Sequence, residues 1–475
     1  MQENPFQPSS AARARVNALR GDLSRGRQLR AAVIGAGKSG LAARDLLLAK
    51  GARVEVFDDR PAERLSDDVR ARLGGAPVAE LAPAALERAD LVVLSPGFPR
   101  RRPELSAAIE RGVLVGELEL AAWFVRAPLI GVTGTNGKST TTALIAHLLT
   151  ADGRRVFAGG NLGRPLSELV TSGESVDFAV VELSSYQLES VIDTSFLVAA
   201  WLNLTPDHTD RYSSLTDYTL AKQRIMERRS ISGCAVLNAQ DAVVAAAGHR
   251  LGGPLRWFAG SPGSELALAD GTAVLDGAIA ARGDERYRLD NPALPGAHNR
   301  ANMAAAIECA RCAGATPDGV QRGLGSFPGL PHRIELVGTA RGARWYNDSK
   351  ATNVDSAATA LSAVEGTKIL IAGGRDKGAP WDPLVRLAGP AQIRVVLAVG
   401  EAEEIAVAAF TGHVARVERC GTVERAVARA AELVQRGEAV LLSPACASLD
   451  QFTNYEARGD LFRRLVRDLE QKEGP

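Results

Sequence analysis

Between Leu129 and Thr141 a short apolar run enters the turn Gly131-Val132-Thr133-Gly134-Thr135-Asn136-Gly137-Lys138-Ser139-Thr140-Thr141, and a helical segment leaves it. A strand that delivers its chain through a glycine turn into a helix start aims backbone N–H groups and the positive helix end at one point, which suits phosphate. In such a loop Lys138 reaches the terminal phosphates and the Ser139 hydroxyl binds Mg²⁺. Five residues separate Gly131 from Gly137, one more than the usual spacing. The lysine, the hydroxyl run and the strand–helix context favour phosphate binding over a structural turn all the same. This motif demands a parallel sheet covered by helices, so the chain belongs to the α/β class.

The alternation continues on both sides. Ala31–Ile34 leads into Gly35-Ala36-Gly37-Lys38-Ser39-Gly40 and a helical stretch over Leu41–Lys50, and Val54–Phe57 and Leu91–Leu94 follow as strands. A third series runs through Lys368–Ile371, Val395–Val399 and Ala439–Leu442. With 475 residues, a prior of about three domains follows. The expected division is an N-terminal tail over 1–29 with at most one short helix, then α/β units over 30–125, 126–330 and 331–475. A Pro/Gly cluster at Phe327–Pro331 marks the last boundary.

Lys+Arg 56 against Asp+Glu 55 leaves a net charge of +1, which disfavours nucleic acid as the main partner. No apolar stretch approaches the ~18 residues of a membrane span, and no signal core follows the early arginines. Cys309 and Cys312 form a lone CxxC on a helical run and read as small buried side chains, not metal ligands. A reduced, cytoplasmic, soluble protein is expected.

Gly35–Gly40 matches a nucleotide-binding glycine pattern, with Asp58 at the next strand end placed near a ribose; a dinucleotide or a structural turn fits equally well at this stage. Glu182 closes the apolar run Val180-Val181 and is placed to hold Mg²⁺. His208 follows the run Trp201–Leu204, a second strand end on the same phosphate site. Lys222 reads by default as a surface lysine, and His298 and Asn299 as helix caps. Three strand ends of the last unit carry polar clusters: Asn347–Asn353, Gly373–Gly378 and Ser443–Phe452. Together they resemble one side of a cleft.

The motifs GVTGTNGKST (131–140), VELSSYQLE (181–189), DHTDRY (207–212), LPHR (330–333), NDSKATN (347–353) and SPACASLDQF (443–452) stand in the order of the muramyl ligase family, which the chain resembles over most of its length. The last two are most like those of members that add D-glutamate to UDP-N-acetylmuramoyl-L-alanine. The resemblance implies a Rossmann-like UDP-binding domain, a central P-loop ATPase domain and a C-terminal Rossmann-like ligase domain. It implies an ATP-dependent ligase of peptidoglycan precursor synthesis, and through it a part in cell-wall growth, cell shape and division. Folylpolyglutamate synthase shares the last two domains but has no need of the N-terminal glycine turn. An NAD-binding regulatory protein would leave the C-terminal motifs without purpose.

The resemblance also assigns roles. Gly134, Thr135, Asn136, Gly137, Lys138, Ser139 and Thr140 would hold ATP, with Asn299 and Asn302 on the adenine side and His332, Arg333 and Asp348 from the C-terminal domain. Ser139, Glu182, His208 and a carbamylated Lys222 would bind Mg²⁺, two ions in all. Lys138, His208, Lys222, Lys350 and Arg333 would be catalytic. The UDP substrate would meet Gly37, Lys38 and Ser39 at its diphosphate and Asp59 and Arg60 at uracil, with Ser95, Gly97, Asn161, Ser184 and Gln187 also in contact. D-glutamate would lie on Thr352, Lys377, Ser448, Leu449 and Tyr455. Tyr455 replaces a usual Phe, and Asp59 a usual neutral hydroxyl residue. A working monomer is expected.

Overall fold

Parallel strands covered by helices on both faces are apolar along their whole length, and the runs read from the sequence form such strands. The computed structural model describes residues 4–61, 64–75, 77–161, 163–207, 211–389 and 392–473. Among them the chain forms three sheets, of five, nine and six strands. It divides into two units, one of residues 1–289 and 301–325, the other of 290–300 and 326–475.

The first unit holds two sheets. Strands β1 (Arg30–Ile34), β2 (Arg53–Phe57), β3 (Val78–Ala79), β4 (Leu91–Leu94) and β5 (Leu114–Gly116) are all parallel in the order β3-β2-β1-β4-β5. Because β1 lies between β2 and β4, the chain reverses its winding there, and the loops after β1 and β4 open a crevice at the strand ends.

The second sheet comprises β6 (Leu129–Thr133), β7 (Val156–Gly160), β8 (Phe178–Glu182), β9 (Phe196–Trp201), β10 (Arg229–Asn238), β11 (Leu255–Ala259), β12 (Gly271–Val274), β13 (Ile279–Arg282) and β14 (Glu285–Arg288). Its order is β14-β13-β12-β11-β10-β9-β6-β8-β7, antiparallel only in the β12–β14 hairpins. Strand β6 sits between β8 and β9, so the glycine turn, Glu182 and the loop after Trp201 leave neighbouring strand ends.

One apolar core runs through both sheets of this unit. The tail reading needs correction. Ser10–Ser24 is a fifteen-residue helix capped by Ser9, and Val16, Leu19 and Leu23 on one face are buried in that core. Its spacing is helical, but the surrounding arginines hide it. The helix Glu117–Ala122 fastens the first sheet to the second body. Buried Glu119 accepts N–H bonds from Ile192 (2.9 Å) and Thr194 (3.0 Å) and the Thr194 hydroxyl (2.7 Å). Glu117 accepts from Ser167 N at 2.7 Å, and burial pushes its carboxyl up to about 7.

In the second unit β15 (Glu335–Ala340), β16 (Ala343–Asn347), β17 (Lys368–Gly373), β18 (Ile393–Val399), β19 (Arg416–Gly421) and β20 (Ala439–Leu442) take the order β15-β16-β20-β17-β18-β19, with only β15 antiparallel. Adjacent β16, β20 and β17 carry the three polar clusters at their ends. No helix among the described residues is long and apolar enough to cross a membrane.

Candidate active site

The central glycine turn is built on Gly134–Gly137. Gly131 lies inside β6, where an added Cβ would press on the Phe196 ring at 2.9 Å. That explains the odd spacing: Gly131 serves packing and is not part of the loop. Gly137 adopts φ +82° and starts the helix Lys138–Ala151. A side chain at Gly137 would strike the Asn302 carboxamide, which also accepts from the Thr141 hydroxyl at 3.3 Å. Asn302 therefore packs on the turn itself.

Asn203, at the end of β9, templates the loop. Its Oδ1 accepts from Thr135 N (3.0 Å) and Asn136 N (2.9 Å), and its Nδ2 donates to Asn136 O at 3.1 Å. The Tyr218 hydroxyl lies 3.2 Å from that of Thr135. Neither residue stands out in the sequence. An asparagine just after an apolar run is the only trace of the first.

Two lysines converge on one carbonyl. Lys138 Nζ donates to Gly134 O (3.0 Å) and Thr135 O (2.8 Å), and Lys222 Nζ donates to Gly134 O at 2.8 Å. Lys222 is 1% exposed, on the helix Leu215–Glu227, with its Nζ 4.7 Å from the centre of the Tyr218 ring. Burial, joined by the charge of Lys138, holds Lys222 well below the ordinary lysine range despite Asp207 and Glu182 nearby. The default surface reading of Lys222 fails here.

Glu182 is buried at the end of β8; its Oε1 accepts from Asn161 Nδ2 at 2.9 Å. Its Oε2 is buried with no hydrogen-bond partner among the described residues, as is Thr140 Oγ1. A buried carboxylate oxygen without a donor, near Lys222 and the central glycine turn, suits a hard cation. His208 lies outside the described residues. Among those described, no group of three or more His, Cys, Asp or Glu forms a metal cluster.

The first glycine turn borders a cleft of about 470 Å³. Gly37, Lys38, Ser39, Asp59 and Arg60 line one part of it, and Ser95, Gly97, Asn161 and Gln187 another. Ser184 does not line it: its hydroxyl accepts from Gln187 N (3.2 Å) in a capping box at the helix Ser185–Leu188. Asp58 also departs from the sequence reading. Its carboxylate is spent on Ala36 N (2.7 Å), Arg60 N (3.0 Å) and the Arg60 guanidinium (2.8 Å), so it braces the turn and is not offered to a ribose. Burial raises its pKa, but the bonds from Arg60 and Ala36 prevail and hold it below the usual carboxylate range. Asp59, half-exposed, accepts from Arg102 at 2.5 Å.

In the second unit, buried Asp348 accepts from Ser443 Oγ (2.7 Å) and Ile334 N (3.2 Å). Burial pushes it up to about 7 against those bonds and the charges of Arg333 and Arg458. His332, at φ +63°, is held by Asn347 Nδ2 at 3.0 Å and stands edge-on to Tyr455, ring centres 6.2 Å apart. Lys350 N donates to His332 O at 3.0 Å, and Thr352 N to Lys350 O at 2.9 Å. Asn299 donates to Pro295 O at 2.8 Å. Ser448 is buried, Leu449 and Lys377 are exposed, and the Lys377 charge acts on the Cys446 thiol. The loops after β16 and β20 are joined by Arg458, which the sequence did not reveal. Its buried guanidinium donates to Ser349 Oγ (2.9 Å), Ser349 O (2.8 Å) and Cys446 O (3.2 Å).

Comparison with known proteins agrees over most of the chain. Residues 29–116 match the Mur ligase MurD-like N-terminal domain, 132–310 the Mur ligase middle domain and 332–446 the Mur ligase glutamate ligase domain. The chain is 48% identical over 456 residues to UDP-N-acetylmuramoylalanine--D-glutamate ligase of Anaeromyxobacter dehalogenans (strain 2CP-C), covering 92% of this chain and 97% of that protein. It is 47% identical over 447 residues to the same-named protein of Myxococcus xanthus (strain DK1622), covering 92% and 98%. In fold it is similar to UDP-N-acetylmuramate-alanine ligase of Thermotoga maritima, with TM-score 0.59 and 17% identity over 93% of this chain and 100% of that one.

Proposed function

The chain belongs to the Mur ligase family, and on that premise we propose that it is the ATP-dependent ligase that joins D-glutamate to UDP-N-acetylmuramoyl-L-alanine. The reaction makes an amide in peptidoglycan precursor synthesis. The L-alanyl carboxylate attacks the γ-phosphorus of ATP, giving an acyl phosphate and ADP. The neutral amine of D-glutamate then attacks the acyl carbon, and inorganic phosphate leaves.

Asn161 is the observation that carries this reading. It lines the cleft of the first glycine turn and donates to Glu182 beside the second, so one side chain touches both the substrate cleft and the phosphate site. A nucleotide-linked sugar seated with its uridine near Arg60 would extend towards Asn161 and bring its carboxylate to the central turn.

Charge neutralisation is the main work in phosphoryl transfer, and Lys138 with the N–H groups of Gly134–Thr140 is assigned to it. Arg333 and Lys350 are assigned to the phosphate and acyl phosphate, with His332, Asp348, Asn299 and Asn302 in ATP binding. Ser139, Glu182, His208 and Lys222 would hold Mg²⁺, which supplies Lewis-acid stabilisation of the phosphoryl oxygens. The unpartnered Glu182 oxygen supports this fit. So does Lys222: an ammonium cannot bind a cation, but burial favours the neutral amine, the form that can take up CO₂ and become a carbamate. Thr352, Lys377, Ser448, Leu449 and Tyr455 are assigned to D-glutamate, whose two carboxylates need cationic and hydroxyl donors. Its substrates are nucleotides and an amino acid of the cytoplasm, and we place the protein there, acting as a monomer in cell-wall growth, cell shape and division.

The test is phosphate release from ATP with UDP-N-acetylmuramoyl-L-alanine, with and without D-glutamate. Release should depend on D-glutamate and fail with L-glutamate. Release indifferent to D-glutamate would overturn the assignment.

A further inference from the structure

Beside the substrate cleft lies a second chamber of about 210 Å³, and the two share Gly97 and Pro99. Its walls carry Arg100, Arg101 and Arg211 against a single carboxylate, Glu189, with Tyr186 and Tyr212 completing them. The charges are unevenly matched. Glu189 is already committed: Oε2 pairs with Arg211 at 3.0 Å and Oε1 accepts from the Tyr212 hydroxyl at 2.6 Å. Arg211 also stacks on Tyr186, 4.1 Å from its ring centre, and donates to Pro96 O at 3.3 Å. Arg101 pairs with Asp217 at 3.5 Å and lies over the Phe6 ring.

Arg100 is left over. Its Nε is buried with no acceptor among the described residues, and burial pulls its pKa down, with only the attraction of Glu189 in opposition. A buried guanidinium N–H without an acceptor is costly, and the planar fork that carries it matches a carboxylate or phosphate. The reacting carboxylate belongs near Lys138, so this chamber takes a different anionic group.

We propose that this chamber is an oxyanion subsite branching from the substrate cleft, with Arg100 as its principal donor to a phosphate group. The anion is either a phosphate of the nucleotide-sugar's diphosphate, reached from the shared Gly97–Pro99 wall, or free inorganic phosphate; the first source rests on the substrate assignment made above, the second does not.

Full-length wild type, Arg100→Met and Arg100→Lys decide the matter in two arms. In the first, KM is measured for UDP-N-acetylmuramoyl-L-alanine and ATP. If the nucleotide-sugar supplies the anion, Arg100→Met raises its KM roughly ten- to a hundredfold, Arg100→Lys recovers part of the loss, and the KM for ATP stays put. In the second, inorganic phosphate is titrated calorimetrically into Lys138→Ala protein, where the central turn is disabled, and into the Lys138→Ala, Arg100→Met double variant. If free phosphate is the anion, the single variant binds it and the double variant does not. Ligand-free Arg100→Met should also melt no lower than wild type, because it removes a buried N–H that lacks an acceptor. Unchanged KM and unchanged phosphate binding, or a lower melting temperature with both unchanged, would make Arg100 a packing residue and overturn the proposal. Should Arg100→Met fail to fold, the same two measurements on Arg100→Lys decide. Wild type inert towards the nucleotide-sugar but losing phosphate binding with Arg100 would sink the substrate assignment and leave the subsite standing.

Discussion

The two glycine turns of the first unit share one architecture and differ in what their neighbours do. Both follow a parallel strand flanked on each side by another and both open a helix. At Gly35–Gly40 an acid from the adjacent strand end, Asp58, turns inward and ties the backbone and Arg60 together, leaving Lys38 at the rim of a wide cleft. At Gly134–Gly137 an amide, Asn203, does the bracing, and two lysines crowd onto one carbonyl. The glycines shape a cradle; under the proposed function, the residues at neighbouring strand ends decide whether it would receive a substrate diphosphate or drive phosphoryl transfer.

The sharpest way to break this contrast is to remove the charge from one turn. Lys138→Ala should lower ligation by about a thousandfold or more, since it strips the principal cation from the transferred phosphate. Equilibrium binding of the UDP substrate, followed by calorimetry without ATP, should stay nearly unchanged. Comparable loss at both sites would show that the turns do not have separate tasks.

Exchanging the braces tests the same contrast with smaller effects. Asn203→Ala removes three hydrogen bonds from Thr135 and Asn136 and should raise the KM for ATP about tenfold. Asp58→Asn weakens the hold on Ala36 and Arg60 and should raise the KM for the UDP substrate by a similar factor, with little effect on ATP. Steady-state kinetics with each substrate varied in turn would expose any crossover.

Much of this was legible beforehand, for physical reasons. Leu91–Leu94, Val395–Val399 and Ala439–Leu442 read as strands because strands buried on both faces need apolar residues throughout. The strand–turn–helix unit around Lys138 and Ser139 is legible because strand, turn and helix start are local. What depended on distant chain did not show. Asn203 and Arg458 act on segments that only the sheet order brings near, and the sequence pattern that points Asp58 at a ribose does not show that Arg60 occupies its carboxylate. The burial of Lys222 left no mark in its own helix; only the family resemblance pointed to it.

The two turns also differ in how they couple to acidity. Asp58 is held below the ordinary carboxylate value, so its contribution to stability is present above about 3.8 and is lost as pH falls through its native pKa. Lys222 is held below the ordinary value of 10.5, so the unfolded chain carries a proton that the native one lacks. Between the two values stability rises with pH, by about 1.4 kcal/mol per pH unit for one proton. Melting curves in bicarbonate-free buffer should show an alkaline rise that Lys222→Met flattens and an acid loss that Asp58→Asn reduces. An alkaline limb indifferent to Lys222 would mean that the amine is not held neutral.

The smallest effect should come from Gly37→Ala, and it separates the glycines that build the first turn from the one that faces its ligand. A Cβ on Gly40 would fall on the Gly35 carbonyl oxygen, and one on Gly35, at φ +98°, would press on the Ser95 side chain, so both are needed by the fold. Gly37 has φ −81° and nothing within 4 Å of an added Cβ, yet it lines the cleft. Alanine should therefore leave the melting temperature within about a degree, because neither strain nor clash is introduced. Any cost should appear as a few-fold rise in the KM for the UDP substrate, from a methyl group standing where a diphosphate must approach the helix N-terminus. A marked fall in melting temperature with unchanged KM would move Gly37 to the structural side of the turn and leave Lys38 and Ser39 as the residues that meet the ligand.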